Sequence, residues 1–342
     1  MLEDRMKVWQ ADRFESASLT LRESPVPEVA DNQILVKVGA VSLNYRDKLF
    51  LEGQFGTDFP LPFVPASDAA GNVAVVGRNV RSFKVGDRVI SHFYPRWLRG
   101  DIRTEEESEN LGVPLPGVLA EYIVLDERGA VHIPAYLSDT QASTLPVAAV
   151  TAWSALFEKC HVQPGDTVLV QGTGGVSIFA LQLACAAGAR VIVTSSSDVK
   201  LERAKGLGAH EGINYIREPE WQESVKSLTN GKGANHIVEV AGGENIRRSV
   251  DALVRGGHIA IVGFLQDDSF EIKILPLMLK LATIHTVGVG SKETFEKVIR
   301  ALEVSRIYPV IDQEFLFTEA PQAFARLNNG PFGKIVVRID KE

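Results

Sequence analysis

The chain has 342 residues, 45% of them hydrophobic and 23% charged, which supplies enough apolar content for large cores and too much length for one typical domain. A formal charge of -7 and a pI near 5.6 argue against broad binding to nucleic acid or anionic lipid. There is no apolar run of membrane-span length, no signal-type run in MLEDRMKVWQ, and Cys160 and Cys185 are the only cysteines, so a reduced, cytoplasmic protein without disulfides is expected.

From Met6 to about Val131 the chain reads as short strands between Pro and Gly: Lys7–Trp9, Leu19–Arg22, Ile34–Val41, Gly71–Val76 and Arg88–Ile90. This spacing predicts a small β-rich barrel. Between His92 and Gly117 lies a polar and aromatic stretch, expected to be a surface excursion with Glu105, Glu106 and Glu107 on a solvated face. Ser138 and Gln141 have capping-box spacing, which predicts a helix from Asp139 that leads through Pro146 into VAAVTAWSALFEKC.

From Gly165 the pattern changes. Val168–Val170 form a short β-branched run, Gly172, Gly174 and Gly175 form a loop, an apolar stretch reaches Gly188, and a second β run ends in serines. Strand, glycine loop, helix and strand make one βαβ unit suited to a dinucleotide, whose pyrophosphate is held by the unpaired N–H groups and dipole of the helix N-terminus. Ser177 occupies the third glycine place, where close packing of helix on strand is expected to tolerate it poorly. Further elements alternate: helices at 200–207, 218–228 and 245–254, and strands at 212–215, 234–240, 258–262 and 283–289. They predict a parallel sheet with helices on both faces. A helix at 292–302, a helical stretch at 320–327 and a strand at 334–339 are too few for a third domain and are expected to return to the first.

LNYRD (Leu43 to Asp47), PFVPASDAAG (Pro62 to Gly71), VGRNV, VGDRVI, LPVAAVTAW (Leu145 to Trp153), QGTGGVSIFALQLA and LGAHEGINY lie in family order over nearly the whole chain. Through them the chain resembles the medium-chain dehydrogenase/reductase superfamily, and within it the zinc-free quinone oxidoreductase (zeta-crystallin-like) branch. The resemblance implies an α/β fold in which a β-rich GroES-like barrel domain (residues 1–148 and 292–342) accompanies a Rossmann doubly wound parallel-sheet domain (149–291) that binds NADPH. Zinc-dependent relatives carry Cys where this chain has Asn44, Gly-His-Glu at Ala66, Ser67 and Asp68, and Cys or an acid near Val147; the cysteines of their structural zinc are missing from the 92–117 stretch. Neither zinc site is expected, and each of the seven histidines is expected to be a surface or satisfied packing residue.

The same resemblance assigns the remaining roles. Thr151, Gly172, Thr173, Gly174, Gly175 and Val176 are expected to hold the cofactor, with Gly263, Phe264 and Val289 beside the nicotinamide. At the end of the second strand the acid that selects NAD is replaced by Ser195; Ser195, Ser196 and Lys200 suit a 2′-phosphate, and Tyr215 lines the adenosine end, hence NADP(H). Asn44, Tyr45, Arg46 and Ser67 are the catalytic candidates, with Asn44 and Arg46 as donors to a carbonyl oxygen. Phe55 stands where thioester reductases carry a proton-donating tyrosine. Tyr94 and Trp97 either wall the substrate pocket or pack beneath their own loop. Family dimers pair the strand near 283–289, and IKILPLMLKLATIHTVGVG fits either a homodimer interface or a core helix followed by a strand. The expected activity is NADPH-dependent, zinc-independent hydride transfer to a quinone or α,β-unsaturated carbonyl. A zinc-free alcohol or aldehyde reductase and a non-catalytic NADPH-binding structural protein are the alternatives; no nucleic-acid or membrane partner is expected.

Overall fold

The computed structural model describes residues 4–15 and 18–339. Its elements are, in chain order, β1 (Arg5–Ala11), β2 (Leu19–Pro25), β3 (Gln33–Leu43), α1 (Tyr45–Leu51), β4 (Asp68–Val76), β5 (Arg88–Ser91), α2 (Glu105–Ser108), β6 (Tyr122–Asp126), β7 (Ala130–His132), α3 (Asp139–Ala142) and α4 (Val150–Trp153). There follow β8 (Thr167–Gln171), α5 (Gly175–Ala186), β9 (Arg190–Ser195), α6 (Asp198–Gly206), β10 (Glu211–Asn214), α7 (Trp221–Leu228), β11 (Ala234–Glu239), α8 (Asn245–Ala252) and β12 (Leu253–Ile261). The last are α9 (Ile274–Lys280), β13 (Thr283–Thr286), α10 (Lys292–Ser305), β14 (Ile311–Leu316), α11 (Ala320–Leu327) and β15 (Lys334–Arg338). Two compact units result, one reaching Val150 and resuming at Gly290, the other Thr151–Val289.

The first unit is built around β3, whose apolar residues from Ile34 to Leu43 are buried almost without interruption because the strand is covered on both faces. It pairs antiparallel with β4, β6 and β15, in a sheet of order β14-β15-β3-β4-β5-β7 with β6 also on β3. In the β15 register Ile335 faces Leu43, which carries Lys334 to the corner where β3 turns into α1. The capping box forms as its spacing predicts: Ser138 Oγ accepts from the Gln141 N–H and α3 begins at Asp139. Beyond it, wider π-type turns at Leu145–Ala149 and Ser154–Lys159 flank α4. The 92–117 stretch departs from expectation. Glu105 and Glu106 are exposed in α2 and Glu107 is half-buried, but His92, Phe93, Pro95 and Leu111 are buried, because the stretch returns along its own start, Leu111 N–H donating to Phe93 O.

The second unit is a six-stranded, wholly parallel sheet of order β10-β9-β8-β11-β12-β13. That order reverses between β8 and β11, the place where open α/β sheets bind ligands beyond their strand ends. Helix α8 stops at Ala252, two residues before the expected end, since Leu253 is extended and pairs with Ala234 of β11. Strand β13 stops at Thr286, and Val289 takes a left-handed φ of 65°. None of α9 is buried, so its apolar run is not a core helix. The protein is therefore α/β, a GroES-like sheet domain with a Rossmann-type parallel-sheet domain, as the resemblance implies. Among the described residues no helix is long and apolar enough to cross a membrane.

Candidate active site

At the corner between β3 and α1, Asn44 is held from two sides. Its backbone N–H donates to Asp47 Oδ2 (2.8 Å), and its side-chain Oδ1 accepts from Lys334 Nζ (2.5 Å). The same ammonium donates to Leu43 O (2.8 Å) and faces Asp68 Oδ2 at 3.9 Å. Lys334 is only 3% exposed; burial lowers its pKa, against the pull of Asp68 and Asp47. Asn44 Nδ2 is buried and bonds nothing in the protein. Ser67 Oγ donates to Asp68 Oδ1 (2.6 Å), and the Val147 N–H donates to Asp68 Oδ2 (3.2 Å). Asn44, Ser67 and Val147 are thus linked through two residues that sequence reasoning gave no role, Lys334 and Asp68. Ala66, beside them, holds a φ of 68°, a conformation uncommon outside glycine that marks a site under geometric demand.

Arg46 is engaged elsewhere. Its Nη2 donates to Asn110 Oδ1 (2.7 Å), and its guanidinium lies 4.7 Å from the Phe50 ring centroid and 4.6 Å from that of Phe93. Its charge sits 3.6 Å from Asp47, yet burial prevails and pushes that carboxyl up to about 6. A small crevice lined by Arg46, Phe50, Phe63, Ala66 and Gly112 opens here. Around it Phe14, Phe50, Phe59 and Phe63 pack edge-on or stacked, with centroids 5.0 to 6.5 Å apart, and Phe55 stacks on Phe50 at 4.8 Å. Tyr45 is exposed, with Lys48 Nζ over its ring. Tyr94 and Trp97 meet edge to face at 5.6 Å, and Trp97 Nε1 donates to Gly100 O, within its own loop. His92 is neither a surface nor a well-satisfied residue: it is fully buried, neither ring nitrogen makes a hydrogen bond of good geometry, and burial lowers its pKa to about 3 against a weak contact with the Trp97 backbone.

In the second unit the loop after β8 has the form its glycines predict. Gly172 has a φ of 70°, and a Cβ on Gly174 would meet no atom within 4 Å, so open space lies over the N-terminus of α5. No side chain caps that end, and its first N–H groups remain available to an anion. The expected penalty at Ser177 does not arise: the side chain is buried and its hydroxyl donates to Gln171 O (2.7 Å), making a bond where a third glycine would make none. Thr151, in α4, and Thr173, in the loop after β8, are buried, and Val176 lies in the first turn of α5. Ser195, buried at the end of β9, accepts from the Ser197 N–H (3.3 Å), and Ser197 caps α6 by accepting from the Lys200 N–H. Ser196 and Tyr215 are exposed. Asp198, the nearest acid, bonds Asn214 Nδ2 (2.8 Å) and Arg217 Nη2 (2.5 Å). A Cβ on Gly263 would lie 3.1 Å from Val240 O, and Phe264 is exposed.

Sequence reasoning missed one further cluster at the switch point. Glu239, wholly buried at the end of β11, accepts from Gln171 Nε2, Ser249 Oγ, Asn245 Nδ2 and the Ala241 and Gly242 N–H groups. These donors tie β11 to β8 and α8 and fix the strand end that begins the glycine loop. An acid closing the apolar run HIVE was the available signal. The same unit brings His236, His258 and His285 of adjacent strands together, with His258 Nδ1 and His285 Nε2 3.1 Å apart. Among the described residues, however, no three His, Cys, Asp or Glu side chains are placed to hold a metal.

Residues 30–135 match the family profile described as an alcohol dehydrogenase GroES-like domain, and residues 175–303 that of a zinc-binding dehydrogenase, together more than half of the chain. A zinc-type alcohol dehydrogenase-like protein of Schizosaccharomyces pombe is 39% identical over 93% of this chain and 94% of its own. The chain belongs to the medium-chain dehydrogenase/reductase superfamily. As a member, it is an oxidoreductase of a family that binds nicotinamide cofactors. Quinone oxidoreductase of Sus scrofa is 31% identical over 92% of this chain and 91% of its own. A Sinorhizobium meliloti crystal structure described as an alcohol dehydrogenase superposes with a TM-score of 0.94 at 46% identity, covering 99% of this chain and all of that one.

For this dehydrogenase/reductase the two groups its family implies fit differently. A dinucleotide suits the open, uncapped end of α5 and the space above Gly174. Zinc does not suit the residues around Asn44 in the first unit. An amide oxygen already taken by an ammonium, a hydroxyl that donates to a carboxylate, and a valine provide no thiolate or imidazole, and Lys334 would repel a second cation.

Proposed function

We propose that the chain is an NADPH-dependent, zinc-independent reductase of quinones or α,β-unsaturated carbonyls. The observation that carries this reading is the substitution of metal chemistry by fixed donors: a buried lysine and a buried, unpartnered amide N–H at Asn44, with uncharged Ser67 and Val147 beside them. When bound, NADPH supplies a hydride, two electrons with one proton. Growing negative charge on the acceptor's oxygen is then best stabilised by donors already in place, which need no reorientation at the moment of transfer. Asn44 Nδ2 serves as such a donor, in preference to Arg46, which bonds Asn110. A proton from solvent completes the reduction. Quinones and enones are electrophilic enough to react without a Lewis acid, whereas a simple ketone loses more. The Phe50, Phe55, Phe59 and Phe63 rings favour a flat conjugated substrate by stacking.

Preference for NADPH rests on Ser195 at the end of β9, where NAD-selecting folds place an acid, with Ser196 and Lys200 offered to the 2′-phosphate. We further propose a homodimer through the edge strand β13 and the apolar face next to it, where Ile274, Leu275, Met278, Leu279 and Leu281 are all more than half exposed. Steady-state oxidation of NADPH and NADH over a panel of quinones, enones, ketones and aldehydes, with metal analysis and sedimentation on the same sample, tests these statements. Turnover confined to ketones or aldehydes supports the alcohol/aldehyde reductase reading. Stoichiometric zinc, equal use of NADH, or a monomer each overturns its own part.

A further inference from the structure

We propose that Lys334 is a positioning residue that orients the Asn44 amide, so that Asn44 Nδ2–H is presented as the donor to an oxyanion. The inference deepens the reading above and rests on it for the identity of the oxyanion, the reduced carbonyl oxygen.

An asparagine side chain has two ends of nearly equal size and opposite polarity, and its orientation is set only by its partners. An ammonium has donors and no acceptor, so Lys334 Nζ at 2.5 Å can face only the oxygen end. The ammonium is itself fixed, bonded to Leu43 O at 2.8 Å and drawn toward Asp68 Oδ2 at 3.9 Å, and its residue is anchored by the pairing of β15 with β3. Asn44 has no rotational alternative at its backbone either, because Asp47 Oδ2 holds its N–H and the Asp47 N–H donates back to Asn44 O at 3.0 Å. The nitrogen end is therefore locked in position, buried and without a partner. Leaving a buried donor unpaired is costly, and an arriving acceptor returns that cost. A cation on Oδ1 also withdraws electron density from the amide and strengthens Nδ2–H as a donor. A donor of that kind binds an anion better than a neutral carbonyl, which favours the charged stage of the reaction over its start.

Two measurements test the assignment on the full-length protein, one with turnover and one without. For turnover, Asn44→Ala is expected to lower kcat with a quinone or enone by about 100-fold or more. Lys334→Met is expected to lower it at least tenfold, with the NADPH Kd, read by cofactor fluorescence, unchanged within twofold. Lys334→Met has little further effect in the Asn44→Ala background, and Lys334→Arg restores most of the loss. Because Lys334→Met leaves Asp68 buried without its cation, the double variant K334M/D68N is made beside it as the folded form. For binding, 4-nitrophenolate serves as a non-reacting oxyanion whose absorbance reports its own ionisation. Wild type is expected to lower the pKa of the bound phenol, and both Asn44→Ala and K334M/D68N to abolish that shift.

The proposal is overturned if Asn44→Ala leaves kcat and the phenol shift intact, if Lys334 variants lose the same factor with and without Asn44, or if they act only on NADPH affinity. A wild type that turns over no carbonyl, yet shifts the phenol in an Asn44-dependent way, sinks the reductase reading and leaves the oxyanion donor standing.

Discussion

The Ser177 hydroxyl donates to the Gln171 carbonyl at 2.7 Å across the turn that joins β8 to α5. A serine thus joins strand to helix at the place where the dinucleotide fingerprint usually has a glycine. Replacing Ser177 by Gly, which restores the fingerprint, is expected to destabilise the protein by about 1–2 kcal/mol, through loss of a buried hydrogen bond and addition of helix-interior glycine. Urea denaturation measures it; a stabilised S177G variant contradicts the role given to this bond.

Glu239 is a buried carboxylate answered only by uncharged donors. Glu239→Gln turns one acceptor into an NH2 that faces other donors, at a cost of roughly 3 kcal/mol. Because the network fixes the end of β8, cofactor affinity should fall along with the melting temperature. Retention of both would show that the cluster only fills space.

Cofactor choice is tested at the end of β9. Ser195→Asp places a carboxylate where a 2′-phosphate is expected, and the ratio of kcat/KM for NADPH over NADH should drop by about 100-fold or more. The change comes chiefly from repulsion of NADPH, so KM for NADPH rises first. An unchanged ratio removes Ser195 from the cofactor site.

His92 predicts an acid limb in stability. Its folded pKa, about 3, lies below the ordinary value of 6.5 because burial disfavours the cation. Between those values the unfolded chain binds the proton and the folded one does not, so stability is full above about 6.5 and falls as pH drops toward 3, by up to about 1.4 kcal/mol per pH unit. The His92→Leu variant should show a flatter dependence of its urea midpoint over that window. Parallel curves for variant and wild type would assign the acid limb to other groups.

How far the sequence could be read varies by element. The glycine loop was legible because a left-handed Gly172 and an uncapped α5 are properties of adjacent residues, and the strand–loop–helix–strand order shows directly. The β3 and β15 runs were legible through their apolar pattern. Burial at the start of the 92–117 stretch was not legible, since a loop that folds back on itself buries a few apolar side chains, Phe93, Pro95 and Leu111, within a segment that is polar on the whole. The apolar run around α9 left two readings open because periodicity reports which residues shun water and says nothing of whether the cover comes from the same chain.

By itself the sequence determined the two kinds of fold, the dinucleotide loop, the serine at the end of β9 and the lack of zinc-type side chains at Asn44, Ser67 and Val147. Only the tertiary structure decided what stands in their place. Lys334 reaches Asn44 through the register of β15 on β3, and Glu239 gathers donors from β8 and α8. Local rules of propensity and capping act over a few residues. A buried charge finds its partners wherever strand pairing brings them, here 290 positions away in the chain.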